Sequence, residues 1–358
     1  MNDTTSNTNL SSCGFSSFPL NPAKISHDLR VVFTVRITVN ALTCPLIVLL
    51  NILVMVSVKT KRQLRTKSNI ALACLATTDL VVGLVLQPLH IAMESFLLKG
   101  ERSMFCIITD ISKTVTLKCL LASFHHLVLM SAERYFAIKH PFLHENLVTK
   151  VRIIIASALV WAAAIILSSE DLVPKSILVV SETLLTILPI YCNVSVYKEV
   201  RRNKKQIAAN QVSLEAKEKL LKNKKAFYTT VIVLVVIFLC YIPTNACVVV
   251  LGVFFKERIS PNIIITTMYA VSLLPVLNSL FNPLIYAVRI RTFRVAFIQL
   301  LSRKTTAQAE ELERKIFRPR QTGVSGNSVV GQENQTLNNK HEPSRQAKPH
   351  GGYEETPL

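Results

Sequence analysis

The sequence predicts an all-α membrane protein, a seven-transmembrane helix bundle with a short amphipathic eighth helix. Three observations predict it. Half of the 358 residues are apolar and the mean hydropathy is positive. The apolar residues come in seven long runs, which is the membrane signature. Lys and Arg crowd alternate connections between those runs, as they do where charge sets membrane topology.

Residues 1–30 are polar, rich in Ser, Thr and Asn, and lack the apolar core of a signal peptide. No cleaved signal is expected, so the first span acts as its own insertion signal. Spans follow at about 31–58, 68–96, 103–136, 150–168, 173–198, 223–254 and 262–288. Each reaches the roughly 17–25 residues that a helix needs to cross a hydrocarbon layer of ~30 Å. The fourth is the shortest, and the fifth carries Glu182 in mid-span. Arg291 to Leu301 then presents Phe293, Val295, Ala296, Phe297, Leu300 and Leu301, the pattern of a helix lying on the membrane surface. The helical domain therefore covers 31–304. Residues 305–358 are poor in large apolar groups and are expected to be a disordered cytoplasmic tail.

The connections after the first, third and fifth spans, and the stretch after the seventh, hold most of the basic residues. By the positive-inside rule the N-terminus lies outside and the C-terminus in the cytoplasm, in a multi-pass plasma-membrane protein. That topology exposes Asn2 (Asn2-Asp3-Thr4) and Asn9 (Asn9-Leu10-Ser11) as glycosylation acceptors. The net charge of +19 is then mainly a topology signal. The lipid bilayer is the expected partner and nucleic acid is not.

Eight cysteines are too scattered for a disulfide scaffold. Cys44, Cys74, Cys119, Cys192 and Cys240 sit in apolar runs and read as buried thiols. Cys13 and Cys106, both on the oxidising side, are a candidate pair. No Cys/His cluster suggests a metal, and no internal repeat suggests a secondary transporter.

Polar groups inside a span are expensive and so are functional candidates. Asp79 lies in mid-span and Asn51 is alone in the first apolar run; Ser123, Asn278, Ser279 and Asn282 add oxygens and amides. On chemistry alone the set reads either as a hydrogen-bonded knot or as a small-cation site. The third span ends in Glu133-Arg134-Tyr135, with Pro141-Phe142 beyond, and Arg134 there also fits a side chain snorkelling to headgroups. The sixth span holds Tyr241 and Pro243, whose ring should kink the helix. The seventh holds Asn282-Pro283-Leu284-Ile285-Tyr286, with Phe293 seven residues further on.

In that order, these motifs resemble the rhodopsin-like G-protein-coupled receptors over residues 31–304. Asn51, Asp79, Glu133-Arg134-Tyr135, Trp161, Pro189 with Tyr197, Pro243 and Asn282-Pro283-x-x-Tyr286 supply one marker set per span. The resemblance implies an outer ligand pocket and an inner cleft that a heterotrimeric G protein enters when the sixth helix swings out. It implies that Arg134 contacts the G protein, that Tyr197 and Tyr286 support the open state, and that Phe142 plugs an apolar pocket on the G protein. Asp79, Ser123, Asn278, Ser279 and Asn282 match the family's sodium pocket. A bound Na⁺ is thus implied, with no other cofactor expected.

The chain departs from that family in three places. Tyr241 replaces the usual tryptophan of the sixth helix. Asn223, beside Lys222, Lys224 and Lys225, replaces the acid that often holds the third-helix arginine, so elevated basal activity is expected. The second outer loop, at about 169–175, has no cysteine to staple it to the third helix. At 100° per residue, Lys113, Thr116, Leu120 and Ser123 share the Arg134 stripe. Thr116 stands where amine receptors of the family carry aspartate, Val276 where opsins carry lysine, and Val248 where adenosine receptors carry asparagine. Lys113, Thr116 and Glu182, with Glu94 and His90 towards the rim, form the candidate ligand pocket, although its charges also suit mutual pairing. Lys118 points to the opposite face of the third helix, with Glu182 its nearest plausible acid. His125 and His126 read as packed helix residues.

A seven-helix transporter or channel is the competing reading, and it needs charges lining a continuous path. An enzyme would need a nucleophile or metal arrangement, which is not apparent. The final Glu355-Thr356-Pro357-Leu358 fits the Ser/Thr-x-apolar terminus that PDZ domains bind as an added strand.

Overall fold

A computed structural model describes residues 25–168, 175–209, 214–251 and 258–317. Within those helices the side chains of 175–186 and 214–226, among others, are not described. Helix α1 covers His27–Thr60, α2 Lys67–Lys99, α3 Arg102–Lys139, α4 Lys150–Leu167, α5 Lys175–Ala209 and α6 Leu214–Val249. Helix α7 is broken into Pro261–Val271 and Leu273–Arg289; α8 is Arg291–Ser302 and α9 Thr306–Phe317. A short helix, Pro141–Leu147, fills the connection after α3.

Local chemistry fixes the ends. The hydroxyls of Ser26, Thr66 and Thr149 accept from the backbone N–H of Leu29, Asn69 and Arg152, capping α1, α2 and α4. Gly100 ends α2 at a φ of 83°, the left-handed turn that glycine alone adopts at no steric cost. Within α2 the turn widens to a π-helical stretch at Val82–Leu86, just before Pro88, which has no N–H to give. Gly83 lies against α1 there; a Cβ on it would come within 2.9 Å of the Val48 side chain.

The apolar residues face in both directions, as a bilayer requires. Ile154, Ile155, Leu159, Ile165 and Ile166 of α4 are about half exposed or more, and hydrocarbon rather than water must cover them. Leu53, Val54, Leu75, Leu127, Ile237 and Tyr286 are buried in a core shared by α1, α2, α3, α6 and α7. Six helices among the described residues are long and apolar enough to cross a membrane. With the 35-residue α5 they make the seven-helix bundle.

One expectation needs correction. The tail was expected to be disordered from residue 305, yet Thr306–Phe317 is helical. Thr305 caps it reciprocally: Gln308 N–H donates to the Thr305 hydroxyl at 3.4 Å, and Thr305 N–H to Gln308 Oε1 at 3.1 Å. Glu313, fully buried, then accepts from Arg291 Nε at 3.0 Å and Arg294 Nη2 at 2.7 Å, which fastens α9 to α8. Burial alone would push the Glu313 carboxyl up, but the two guanidiniums hold it below the usual carboxylate range. The helical unit therefore runs past 304. Residues 318–358, with Glu355 to Leu358, lie outside the described residues, as do Asn2, Asn9 and Cys13.

Candidate functional site

The end of the bundle where α1 begins is its amino end, and the end where α7 finishes is its carboxyl end. Buried charges mark both. At the amino end, Arg36 of α1 is 2% exposed and Glu94 of α2 is 0% exposed. Arg36 Nε donates to Glu94 Oε1 at 2.5 Å, and Nη1 donates to the Tyr269 carbonyl and the Ser272 hydroxyl, each at 2.6 Å. The guanidinium also stands 5.5 Å from the Tyr269 ring centroid. Ser272 is where α7 breaks, so Arg36 supplies donors to carbonyl and hydroxyl groups at the interrupted turn. Thr244 of α6 serves the Val271 carbonyl in the same way, at 3.0 Å.

This changes the pocket read from sequence. Glu94 and His90, read as lying towards the rim, are both buried, and pairing of the pocket charges was the alternative kept for them. A carboxylate so placed needs a cation, and Arg36 provides it. Thr116 donates its hydroxyl to the Ser112 carbonyl at 2.7 Å, within α3. Lys113 is half-buried on the same helix. The side chains of Glu182, Val248 and Asn223 lie outside the described residues. His125 and His126 are packed in α3; the two His126 ring nitrogens lie 2.7 Å from the Ala122 carbonyl and the Ser157 hydroxyl.

In the middle of the bundle Asp79 is fully buried and accepts from Asn282 Nδ2 at 2.9 Å, with Ser279 beside it. Asn51 Nδ2 donates to the Ser279 carbonyl at 3.2 Å, and Ser123 Oγ pairs with Thr78 Oγ1 at 3.2 Å. What remains is mostly acceptors, although the Tyr286 hydroxyl, which can donate, is also buried without a partner among the described residues. Asp79 Oδ1, Asn51 Oδ1, Asn278 Oδ1 and Asn282 Oδ1 have no partner among the described residues. All four are acceptors, and buried acceptors without donors suit a cation with oxygen ligands.

At the carboxyl end Glu133 and Arg134 are 5% and 8% exposed. Arg134 Nε donates to Glu133 Oε2 at 2.6 Å, and His144 Nε2 lies 3.1 Å from Glu133 Oε1. Lys67 of α2 donates to the His144 carbonyl at 3.2 Å, tying the short helix to the bundle. Phe142 is 86% exposed beside it. Tyr135 packs near Tyr191, with ring centroids 6.2 Å apart. Tyr197 is half exposed on α5, whereas Tyr286 is buried with its ring 5.9 Å from that of Phe293. Tyr241 is half-buried against the core, two residues from Pro243. Asn193 Nδ2 links α5 to α3 through Ser131 Oγ at 3.1 Å. Cys106 is disulfide-bonded, and the six other described cysteines are free.

Arg36, Ser272, His144 and Asn193 were missed in the sequence. A charge near the start of the first span was the available signal for Arg36.

Among the described residues, a helix bundle with a buried carboxylate at its centre and a helix-bound arginine at one end has the arrangement expected of a membrane receptor. Residues 50–183 and 169–286 match the family described as 7 transmembrane receptor (rhodopsin family). The chain is 26% identical to the histamine H2 receptor of Homo sapiens over 315 residues, which cover 80% of this chain and 82% of that one. It is 26% identical to the histamine H2 receptor of Rattus norvegicus over 74% of this chain and 79% of that one. It is 24% identical to the octopamine receptor beta-1R of Drosophila melanogaster over 70% of this chain and 58% of that one. The chain belongs to the rhodopsin family of seven-transmembrane receptors and functions as a G-protein-coupled receptor.

Proposed function

We propose that the amino end faces the outside and takes an extracellular ligand, and that the G protein docks at the carboxyl end through Arg134, Tyr135 and Phe142. The observation that carries this reading is the Glu133–Arg134–His144 cluster, buried beside an exposed Phe142. Arg134 has a partner on its own helix and one loop histidine behind that partner, so a rearrangement of one short helix releases it. Tyr197 and Tyr286 support the released state by the family likeness. Arg134→Ala abolishes nucleotide exchange on the G protein while surface expression persists. Unchanged exchange in that variant sinks the assignment.

Na⁺ binds at Asp79 with Ser123, Asn278, Ser279 and Asn282, and it favours the resting state. The orphaned acceptor oxygens support this, Asn51 Oδ1 among them. The ligand is not anchored as an amine would be in relatives named for histamine and octopamine. Those relatives suggest an amine, but Thr116 carries no charge and its hydroxyl is spent on its own helix. Lys113, Thr116 and Glu182 remain the pocket, with Glu94 and His90 as its buried support.

Cys13 bridges to Cys106, and non-reducing peptide mapping that recovers Cys13 as a free thiol removes the pairing. Asn2 and Asn9 carry glycans, read by the mobility shift on glycosidase treatment. Thr356 and Leu358 engage a PDZ domain, which a binding array with the last ten residues checks.

A further inference from the structure

We infer that helix α9 is a clasp that holds the carboxyl end of α7 in its resting position, and that Glu313 and Arg294 are its positioning residues. The inference rests on the reading in which Tyr286 moves to support the released state. A helix ends in carbonyls that no helical N–H can reach. At the end of α7 the Tyr286 carbonyl accepts from the Ile290 N–H at 2.9 Å, and the next two carbonyls are served by a side chain. Arg294 Nη1 donates to the Val288 carbonyl at 2.6 Å and to the Ala287 carbonyl at 3.3 Å. Nε and Nη2 of the same guanidinium donate to Glu313 Oε1 at 3.0 and 2.7 Å. Its central carbon stands 4.8 Å from the Phe317 ring centroid. One planar fork is thus shared between the last turn of α7 and the carboxylate of α9.

Glu313 decides where that fork points. Its side chain is 0% exposed and that of Arg294 is 14% exposed, so water is a poor substitute partner for either. Arg291 Nε donates to the other carboxylate oxygen at 3.0 Å, which fixes the carboxylate edge-on to both arginines. The other anchors of α9 are lighter. Ala309 is buried, and Gln299 Nε2 donates to the Thr306 hydroxyl at 2.7 Å. Ile316 and Phe317 are 56% and 53% exposed. A helix of such polar composition is held by its buried charge, not by an apolar face.

The link to activity runs through Tyr286. That side chain is buried, and its hydroxyl has no partner among the described residues. The hydroxyl therefore does not tether it. The backbone just beyond is tethered, at residues 287 and 288, and Tyr286 cannot travel without that turn. Moving the turn while α9 stays docked breaks the Arg294 bonds to the carbonyls or draws the guanidinium off Glu313. Either result leaves polar groups short of partners, which opposes the movement. Undocking α9 frees Arg294 to follow α7. The clasp is thus a restraint on nucleotide exchange separate from the Glu133–Arg134–His144 cluster.

The test measures basal nucleotide exchange by the full-length receptor at matched surface expression. Glu313→Gln is expected to raise exchange about two- to five-fold, the shift that losing an ion pair near the surface gives to a two-state balance. Hydrogen exchange at residues 306–317 is expected to quicken in the same variant as α9 undocks. Glu313→Asp keeps the charge and is expected to stay nearer the parent. Arg294→Gln is expected to raise exchange by itself, and the double variant Glu313→Gln/Arg294→Gln no further, since both act through one contact. A damaged fold would lower exchange, so the direction of the change separates a clasp from a mere support. Should Glu313→Gln fail to reach the surface, Arg291→Gln, at a side chain 46% exposed, loosens the same clasp and carries the same expectation. Unchanged or lower exchange overturns the inference, and so do additive effects in the double variant. Arg134→Ala is run beside them. If it leaves exchange unchanged, the docking reading fails and the clasp falls with it; if it abolishes exchange while Glu313→Gln is inert, the clasp alone fails.

Discussion

The two ends of the bundle each bury an arginine against a glutamate, by opposite means. Arg36 and Glu94 stand on different helices, 58 residues apart, and the same guanidinium serves the broken turn of α7. Freeing it requires three helices to separate and strands a charge in an apolar layer. Arg134 and Glu133 are neighbours on one helix, and the other partner of Glu133 is a histidine on a short connecting helix. Freeing Arg134 needs only side-chain rotation and a shift of that short helix. The contacts at the amino end therefore tie several helices together, whereas those at the carboxyl end stay within one helix and the connection that follows it. On the proposed reading, the first end acts as a frame that keeps the pocket in shape and the second as a switch that changes partners.

The largest effect should come from breaking the frame. Glu94→Ala leaves Arg36 buried without its anion, which costs on the order of 3–5 kcal/mol. The variant is expected to unfold at a much lower temperature and to reach the surface poorly. Replacing both members, with Arg36→Met and Glu94→Leu, should recover much of that loss, because apolar residues of similar size suit the site. If Glu94→Ala unfolds at the parental temperature, the frame is held elsewhere and the contrast between the ends collapses.

How much of this was legible in the sequence follows from where each partner lies. The spans could be read because a bilayer forces apolar runs of fixed length. Asp79 and Arg134 stood out because each is charged in or beside such a run. Glu94 was noticed but its partner was not, since Arg36 lies 58 residues away on another helix and no spacing rule links them. The break in α7 at Ser272 had a marker that went unread in Pro275, which has no N–H to give the Val271 carbonyl four residues back. Helix α9 was hidden by its polar composition, although Thr305 and Gln308 spell a capping box. His144 lies in a connection and gains its role only when that connection folds back on Glu133.

A smaller effect should come from the centre of the bundle, between frame and switch. An ion that binds only the resting state at about ten times below the working concentration stabilises it by roughly 1.4 kcal/mol. Raising Na⁺ at constant ionic strength should therefore raise the unfolding temperature by a few degrees and lower basal exchange. Asp79→Asn should remove both responses. Identical Na⁺ responses in the variant and the parent would leave the four unpartnered acceptors to water instead.

The smallest effect should come from making the switch more like the frame. Arg134 has a partner within its own helix but, with Asn223 in place of an acid, the sequence offers it none from that position of α6. Three lysines flank Asn223 and add repulsion. A quiet receptor keeps its active state at about 0.1–10% of the population, so basal exchange here is expected to sit towards the upper part of that range. Asn223→Glu would offer Arg134 a carboxylate from another helix, as Glu94 offers one to Arg36. An ion pair of that sort is worth roughly 0.2–1 kcal/mol, which lowers the active fraction several-fold at most. The comparison is made at matched surface expression and without ligand, by basal nucleotide exchange. A decrease in the variant supports the view that α6 is loosely held at this end. Equal or higher exchange means that the Glu133–His144 contact already holds the resting state, and the expectation of elevated basal activity then falls.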